Sequence, residues 1–227
     1  MLTRMFTQRL LIATATLTAA TLFAADNWKP LFDGKTTDGW TQKGGKAKYR
    51  VEDGVLVGLT QPNTPNSFLC TTRDYTNFIL ELEFKVAQGL NSGVQIRSHS
   101  YDTNSEVQWK GKSYKVPANR VHGYQIEIDT TTRAWTGGLY EEGRRGWLNN
   151  LTNNPAARSA FKQNDWNKFR IEAVGEAIKT QINGVPAADY RDGMTPAGFI
   201  ALQVHGVGKR TNDLEVRFRN IRIQELP

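Results

Sequence analysis

The chain has 227 residues, with 29 Lys and Arg against 22 Asp and Glu and a formal net charge of +7. The basic residues are scattered along the chain, which disfavours a nucleic-acid-binding surface. Cys70 is the only cysteine, so no intramolecular disulfide can form and stability must come from a hydrophobic core.

The first 25 residues have the layout of a secretory signal peptide. A basic start that contains Arg4 and Arg9 runs into an apolar stretch that ends at Ala24 and Ala25. Several Thr residues break this stretch and it is short for a bilayer span, which disfavours the alternative of a retained membrane anchor. We therefore predict an exported protein, periplasmic or secreted, with no membrane attachment once residues 1–25 are removed.

Residues 26–227 have the pattern of a single all-β domain. Short alternating segments are separated by turn signals such as Asp53-Gly54 and Asn183-Gly184. One short helix is predicted at Pro155 to Gln163, with Asn154 as its N-cap. The predicted strands are 49–52, 55–59, 67–71, 78–86, 93–98, 123–129, 167–174, 177–182, 198–204 and 214–224.

Two long polar insertions, 101–121 and 136–165, interrupt this pattern. Segments of that length inside a compact domain are usually functional or mobile. We expect them to form walls over a binding face, with Tyr140 and Trp147 stacking on a sugar. The alternative is that these aromatic side chains anchor the insertions to the core.

Three of the predicted strands carry polar side chains at every second position, which is the period of a strand. The other positions are apolar, so one face belongs to the core. The polar side chains contain no Lys, which favours a carbohydrate-sized site over a merely solvated sheet face, although outward sheet faces are polar for solubility alone. They are Gln95, Arg97 and His99 in the first strand, Gln125, Glu127 and Asp129 in the second, and Gln203 and His205 in the third.

An ordered set of motifs across residues 26–227 resembles the bacterial domain family DUF1080, also called the 3-keto-disaccharide hydrolase domain. The resemblance implies a concanavalin A-like jelly-roll β-sandwich of two antiparallel sheets, with one short helix in a long loop. That architecture hosts both enzymes and binding modules. The motifs are residues 31–35, 39–40, 91–97, 123–129, 138–141, 165–167, 182–184, 198–205 and 218–222.

Laminarinase-type enzymes with this fold carry Glu, Asp and a second Glu at alternate positions of one strand. Here Glu127 and Asp129 fit the first two positions, but the third is Thr131. Retaining hydrolysis needs two carboxyl groups about 5 Å apart. An ordinary glucanase is therefore disfavoured unless Glu141 or Glu142 supplies the partner.

The resemblance implies a substrate that is already oxidised at carbon 3. The ketone makes the hydrogen on carbon 2 acidic, so one base can start an elimination that expels the glycosidic oxygen, and water then adds. We expect Glu127 or His205 as the base, Arg97 as the stabiliser of the enolate oxygen, and Asp129 as the residue that orients His205 or Arg97. The residues expected to bind substrate are Gln95, His99, Gln125, Tyr140, Trp147 and Gln203.

Several alternatives stay open at this point. A divalent metal held by Glu127, Asp129 and His205 could replace Arg97 as the group that stabilises the enolate oxygen, although no ligand spacing in the sequence demands a metal. A non-catalytic carbohydrate-binding module would have much the same sequence, and a scaffold domain without a site is a third alternative. The resemblance alone implies a separate oxidoreductase that makes the 3-keto substrate. The sequence does not indicate an oligomeric state.

Overall fold

The computed structural model describes residues 27–227, so the predicted signal peptide lies outside the described residues. The described chain folds into two antiparallel sheets, a separate hairpin and one short helix, α1 (Pro155–Ala160). The strands are β1 (Lys29–Pro30), β2 (Trp40–Gly44), β3 (Lys48–Glu52), β4 (Val55–Leu59), β5 (Ser67–Thr71), β6 (Phe78–Val86), β7 (Ser92–His99), β8 (Ser105–Trp109), β9 (Lys112–Val116), β10 (His122–Ile128), β11 (Leu139–Glu142), β12 (Gly146–Asn149), β13 (Asn167–Val174), β14 (Ala177–Ile182), β15 (Val185–Arg191), β16 (Phe199–Val204) and β17 (Glu215–Glu225).

The first sheet has the strand order β15-β14-β13-β6-β17-β4-β3, with β1 paired to β17, and the second has the order β12-β11-β10-β7-β16-β5-β2. The two sheets pack face to face around one hydrophobic core. The prediction of an all-β sandwich of two antiparallel sheets with one short helix is therefore confirmed.

Strand β6 shows why these segments become sandwich strands. Leu80, Leu82 and Phe84 are buried in the core, and each contributes roughly 1.5–3 kcal/mol by leaving water. Glu81 and Glu83 alternate with them and point outward, where each pairs with an arginine of β17. A one-residue shift of register would turn these carboxylates into the hydrophobic core, away from their arginine partners, so the pattern specifies the register.

The two long insertions are structured. Residues 101–121 contain the β8–β9 hairpin, and residues 136–165 contain β11 and β12, which extend the second sheet, followed by α1. The helix begins as predicted, with the Asn154 side chain accepting from the backbone N–H of Ala157 at 3.1 Å, but it ends at Ala160 rather than Gln163.

A β-bulge in β7 breaks the alternation that the sequence pattern assumes. Arg97 has a φ of +44°, and the registers of β7 with β10 and with β16 both shift beside it. Gly123 and Gly198 lie opposite, and a Cβ on either would approach Ser98 or the backbone of Arg97 to 2.5 Å or less. From Arg97 onward, the side chains of β7 therefore change faces.

No helix within residues 27–227 combines the length and the hydrophobicity that a membrane-spanning helix needs.

Candidate functional site

The polar face of the second sheet, which points away from the core, is built by cross-strand alignment. Gln95 on β7 lies opposite Gln125 on β10, and Gln125 lies opposite Tyr140 on β11. Tyr140 in turn lies opposite Trp147 on β12. Directly opposed side chains on one face are close enough to interact, so these four residues form a row across the sheet.

Three glutamine side chains in this region form a directed hydrogen-bond chain. The Gln125 Oε1 accepts from the Nε2 of Gln95 at 2.6 Å and from the Nε2 of Gln203 at 3.0 Å. Because its oxygen is used in this way, the Gln125 amide presents its Nε2 to Glu127 Oε2 at 2.8 Å. Gln95 and Gln203 are fully buried, so they hold Gln125 in place rather than line the cavity.

Glu127 is a buried carboxylate, 4% exposed, whose hydrogen-bond partners are mostly neutral. Besides Gln125, the Asn91 Nδ2 donates to its Oε1 at 2.7 Å, and one arginine, Arg133, reaches the same oxygen at 3.3 Å. Burial raises the pKa of Glu127 above its ordinary value and outweighs these donors. A carboxylate with a raised pKa is a stronger base near neutral pH.

Arg133 is the cation of this region. Its Nε donates to Asp129 Oδ2 at 2.9 Å, and its guanidinium carbon lies 4.9 Å from the Trp135 ring centre and 5.0 Å from the Trp147 ring centre. The side chain stays 39% exposed. The two indole rings and two carboxylates therefore hold the guanidinium in place, while part of the side chain stays accessible to a ligand.

Asp129 organises the loop that carries Arg133. It accepts from the backbone N–H and the hydroxyl of Thr131 and from the backbone N–H of Trp135. Burial alone would raise the pKa of Asp129, but Arg133 and these donors outweigh it and hold the pKa below its ordinary value. The prediction that Asp129 orients His205 or Arg97 is wrong, since its partners are Arg133 and this loop.

A cavity of about 250 Å³ opens on the polar face beside these groups. It is smaller than the roughly 300–1,000 Å³ of sites for drug-sized ligands, which suits a ligand of about one sugar ring. Its lining residues are Asn91, Gln125, Glu127, Arg133, Tyr140, Glu142, Trp147 and His205.

His205 lies at the end of β16 and is half-buried. Its Nδ1 is 2.8 Å from the carbonyl oxygen of Gly206, a contact that requires the proton on Nδ1 in the neutral ring. That tautomer leaves Nε2 as the nitrogen that can accept a hydrogen bond.

Arg97 and His99 do not join this cavity, so their predicted placement is wrong. Arg97 is fully buried and donates to the carbonyl oxygens of Thr76 at 2.8 Å and Gly175 at 2.7 Å. His99 stacks on Tyr101, with ring centres 5.8 Å apart. The β7 bulge is the physical reason, because strict alternation stops at Ile96.

The sequence reasoning missed Asn91 and Arg133 as members of the site. Asn91 stands just before β7, within the motif at residues 91–97, and Arg133 follows Asp129 by four positions in the loop after β10. An arginine four positions after Asp129 can pair with the carboxylates at the end of β10. Because Arg133 lies in a loop, the two-residue period of a strand does not predict where its side chain points.

The metal alternative does not fit the side chains that the structure brings together. Among residues 27–227, no three or more His, Cys, Asp or Glu side chains are grouped so that they could hold a metal ion. Both Asp129 oxygens are taken by Arg133, Thr131 and Trp135. Asp129 is therefore not free to join Glu127 and His205 as a ligand.

The two packed antiparallel sheets define a jelly-roll β-sandwich. Residues 27–224 match the model of the 3-keto-alpha-glucoside-1,2-lyase-like domain, and the chain belongs to that family, as its motifs predict. A 3-keto-disaccharide hydrolase of Bacteroides thetaiotaomicron is 35% identical over 97 residues, which are 37% of this chain and 33% of that protein. The chain thus matches about a third of that relative.

Solved structures support the fold. A protein of Parabacteroides distasonis named as a glycosyl hydrolase superposes with a TM-score of 0.57 at 20% identity, covering 89% of this chain and 95% of that one. A Bacillus subtilis protein with a galectin-like fold gives a TM-score of 0.58 at 11% identity, covering 87% and 94%. At these sequence identities the likenesses show the fold alone.

Proposed function

We propose that this protein is an exported enzyme that cleaves the glycosidic bond of 3-keto-glycosides. It removes the proton on carbon 2, eliminates the group on carbon 1 and adds water to the resulting enone. The observation that carries the proposal is Glu127, a buried carboxylate with a raised pKa that lines a cavity of sugar size.

One base is enough for this reaction because the substrate already holds the activating ketone. Glu127 takes the proton from carbon 2, and the electron pair becomes an enolate that spreads to the oxygen on carbon 3. Asn91 and Gln125 fix the carboxylate with two short hydrogen bonds. This fixed geometry lowers the entropy that is lost on reaching the transition state.

Arg133 takes the role that we first expected of Arg97. It lines the cavity next to Glu127 and is held from one side by Asp129. A fixed cation in a half-buried site stabilises a developing enolate oxygen without reorganising. Trp147 offers an apolar surface against the sugar ring, and His205 Nε2 can accept a hydrogen bond from a sugar hydroxyl.

A two-carboxylate glucanase mechanism is less well supported. The second carboxylate that lines the cavity, Glu142, is ion-paired to Arg120, and Thr131 occupies the position of the third acid of the laminarinase pattern. A glucanase acid must carry a proton at the start of the reaction. A carboxylate paired to a guanidinium is poorly suited to that role.

The test is sugar release by the purified protein from a 3-keto-glucoside and from its unoxidised parent, each with and without a chelator. Release from the keto substrate alone, unaffected by chelator, is the expected result. Cleavage of the parent at a similar rate would contradict the proposal. Glycan binding with no release from either substrate would instead identify a carbohydrate-binding module.

A further inference from the structure

The elimination needs a proton donor for the departing oxygen, and the cavity offers few groups that can serve. Arg133 cannot release its proton in a protein, and Glu142 is paired with Arg120. Asn91 and Gln125 donate to Glu127. Tyr140 and His205 remain among the lining side chains that can hold a transferable proton.

Resting on the function proposed above, we infer that Tyr140 is the general acid that protonates the leaving oxygen. Tyr140 projects from β11 beside the cross-strand partners Gln125 and Trp147. The Trp147 ring meets it edge-on with centres 5.2 Å apart. Its hydroxyl makes no hydrogen bond to any residue of the described chain, although the phenol is half-buried and lines the cavity.

The charges around Tyr140 suit a donor that stays protonated until it is needed. Burial raises the pKa of Tyr140 above its ordinary value, and the carboxylates of Glu142 and Glu127 raise it further. The phenol is thus neutral when the substrate binds. It is still acidic enough to protonate an alkoxide as that oxygen leaves, because an alkoxide is the stronger base.

The same geometry couples the two proton transfers. When Glu127 takes the proton from carbon 2, one of the two negative charges that oppose ionisation of Tyr140 is neutralised. The phenol therefore becomes a better acid at the moment when the leaving group needs its proton. Arg133 and Arg120, whose charges favour the phenolate, remain in place throughout.

The steps balance without any further reagent. The enolate returns its electron pair to form the double bond between carbons 1 and 2 while the ketone reforms, the bond from carbon 1 to the glycosidic oxygen breaks, and that oxygen takes the Tyr140 proton. Water then adds to carbon 1 and gives its proton to the phenolate. The carboxyl proton of Glu127 exchanges with solvent water in the open cavity, and Glu127 then delivers a solvent-derived proton to carbon 2, which completes a net hydrolysis.

The experiment compares Tyr140→Phe with the wild type on two 3-keto-glucosides in deuterium oxide. A methyl glycoside has a leaving group that needs a proton, whereas a 4-nitrophenyl glycoside does not. We expect Tyr140→Phe to lower kcat roughly 10²- to 10⁴-fold on the methyl glycoside and to leave the 4-nitrophenyl glycoside near wild type. Deuterium should accumulate at carbon 2 of the unreacted methyl glycoside.

Equal losses on both substrates, or no loss on either, would overturn the role of Tyr140. Tyr114→Phe in the β8–β9 hairpin, outside the cavity, is the matched control and should behave as wild type. A wild-type protein that puts no deuterium at carbon 2 of substrate or product would instead sink the proposed function itself. The two failures are therefore distinguishable.

Discussion

Glu127 and Glu141 are buried carboxylates on neighbouring strands of the second sheet, yet their surroundings differ sharply. Glu141 points toward the core side and accepts hydrogen bonds from two guanidinium groups, those of Arg144 at 2.8 Å and Arg145 at 2.7 Å. Glu127 points to the polar face and has two amide donors and one half-exposed arginine.

The same residue type thus serves two purposes in neighbouring strands. Two buried guanidinium groups neutralise the charge of Glu141, and Arg145 also pairs with Asp192, so this network has a structural role. Amide donors satisfy the oxygens of Glu127 but leave most of its charge uncompensated in a buried place. The uncompensated charge raises the proton affinity of the Glu127 carboxylate, and a catalytic base needs a raised proton affinity.

The largest expected effect is on turnover by Glu127→Gln. The amide keeps the shape of the side chain but cannot accept a proton from carbon 2, so kcat should fall roughly 10²- to 10⁴-fold. Steady-state kinetics on a 3-keto-glucoside measure this loss. Glu83→Gln, which removes an ion pair with Arg219 on the first sheet, is the control, and equal kinetics for the two variants would contradict the assignment.

Glu141→Gln tests the structural side of the comparison. Because Arg144 would be left with an uncompensated buried charge while Arg145 keeps only its pair with Asp192, we expect a loss of about 3–5 kcal/mol in the free energy of unfolding. Glu142→Gln, which breaks a pair with the half-exposed Arg120, should cost less. Urea unfolding measures both losses. Equal losses would show that the buried Glu141 network stabilises the fold no more than the pair of Glu142 with the half-exposed Arg120.

Arg97→Met tests whether Arg97 acts in catalysis, as the strand pattern predicts, or only in stability, as its buried contacts indicate. The carbonyl oxygens of Thr76 and Gly175 would lose their buried donor, which should cost about 1–3 kcal/mol of stability. The kcat of the folded protein should stay unchanged, because Arg97 does not line the cavity. A large loss of kcat at a temperature where the variant is folded would restore Arg97 as the enolate stabiliser.

His122 is expected to make the free energy of unfolding depend on pH, with a smaller effect than the variants above. It is fully buried with neither ring nitrogen hydrogen-bonded within the described chain, and burial, Arg144 and His99 lower its pKa to about 4. The unfolded chain binds the proton first as pH falls below about 6.5, so stability is lost between that pH and about 4.

At pH 5 the loss from this one residue should be about 2 kcal/mol relative to pH 7. Comparing the free energy of unfolding of the wild type and of His122→Phe at the two pH values separates the contribution of His122 from that of the other titrating groups. The variant should lose less stability on acidification. An equal loss in both proteins would exclude His122 as the cause.

Much of the fold could be predicted because period-two alternation is a local property of the chain. The segments 55–59, 67–71, 78–86, 167–174 and 177–182 were predicted with the bounds that the structure gives. The missed strands are β1, β2, β8, β9, β11, β12 and β15. Strands β1, β11 and β12 have too few residues to show a period, and β15 carries Pro186 and two alanines in place of an alternating pattern. Helix α1 was predicted three residues too long, because propensity does not mark where Phe161 turns to extended backbone.

The site was only partly predictable, for a physical reason. Gln125 and Glu127 lie on a regular strand, so alternation places them on the polar face together. Arg97 lies on a bulge that depends on close approach to Gly123 in β10 and to Gly198 just before β16, and both glycines are distant in sequence. Arg133 reaches Glu127 through a loop fold set by Asp129, which alternation cannot predict.

In the proposed reaction, Glu127 removes the proton on carbon 2. The most direct measurement is the initial rate of deuterium incorporation at carbon 2 when the wild type and Glu127→Gln cleave a 3-keto-glucoside in deuterium oxide. We expect the wild type to release 3-keto-glucose with deuterium at carbon 2, and Glu127→Gln to exchange and cleave roughly 10²- to 10⁴-fold more slowly. Wild-type product with its original hydrogen at carbon 2 would contradict this role of Glu127.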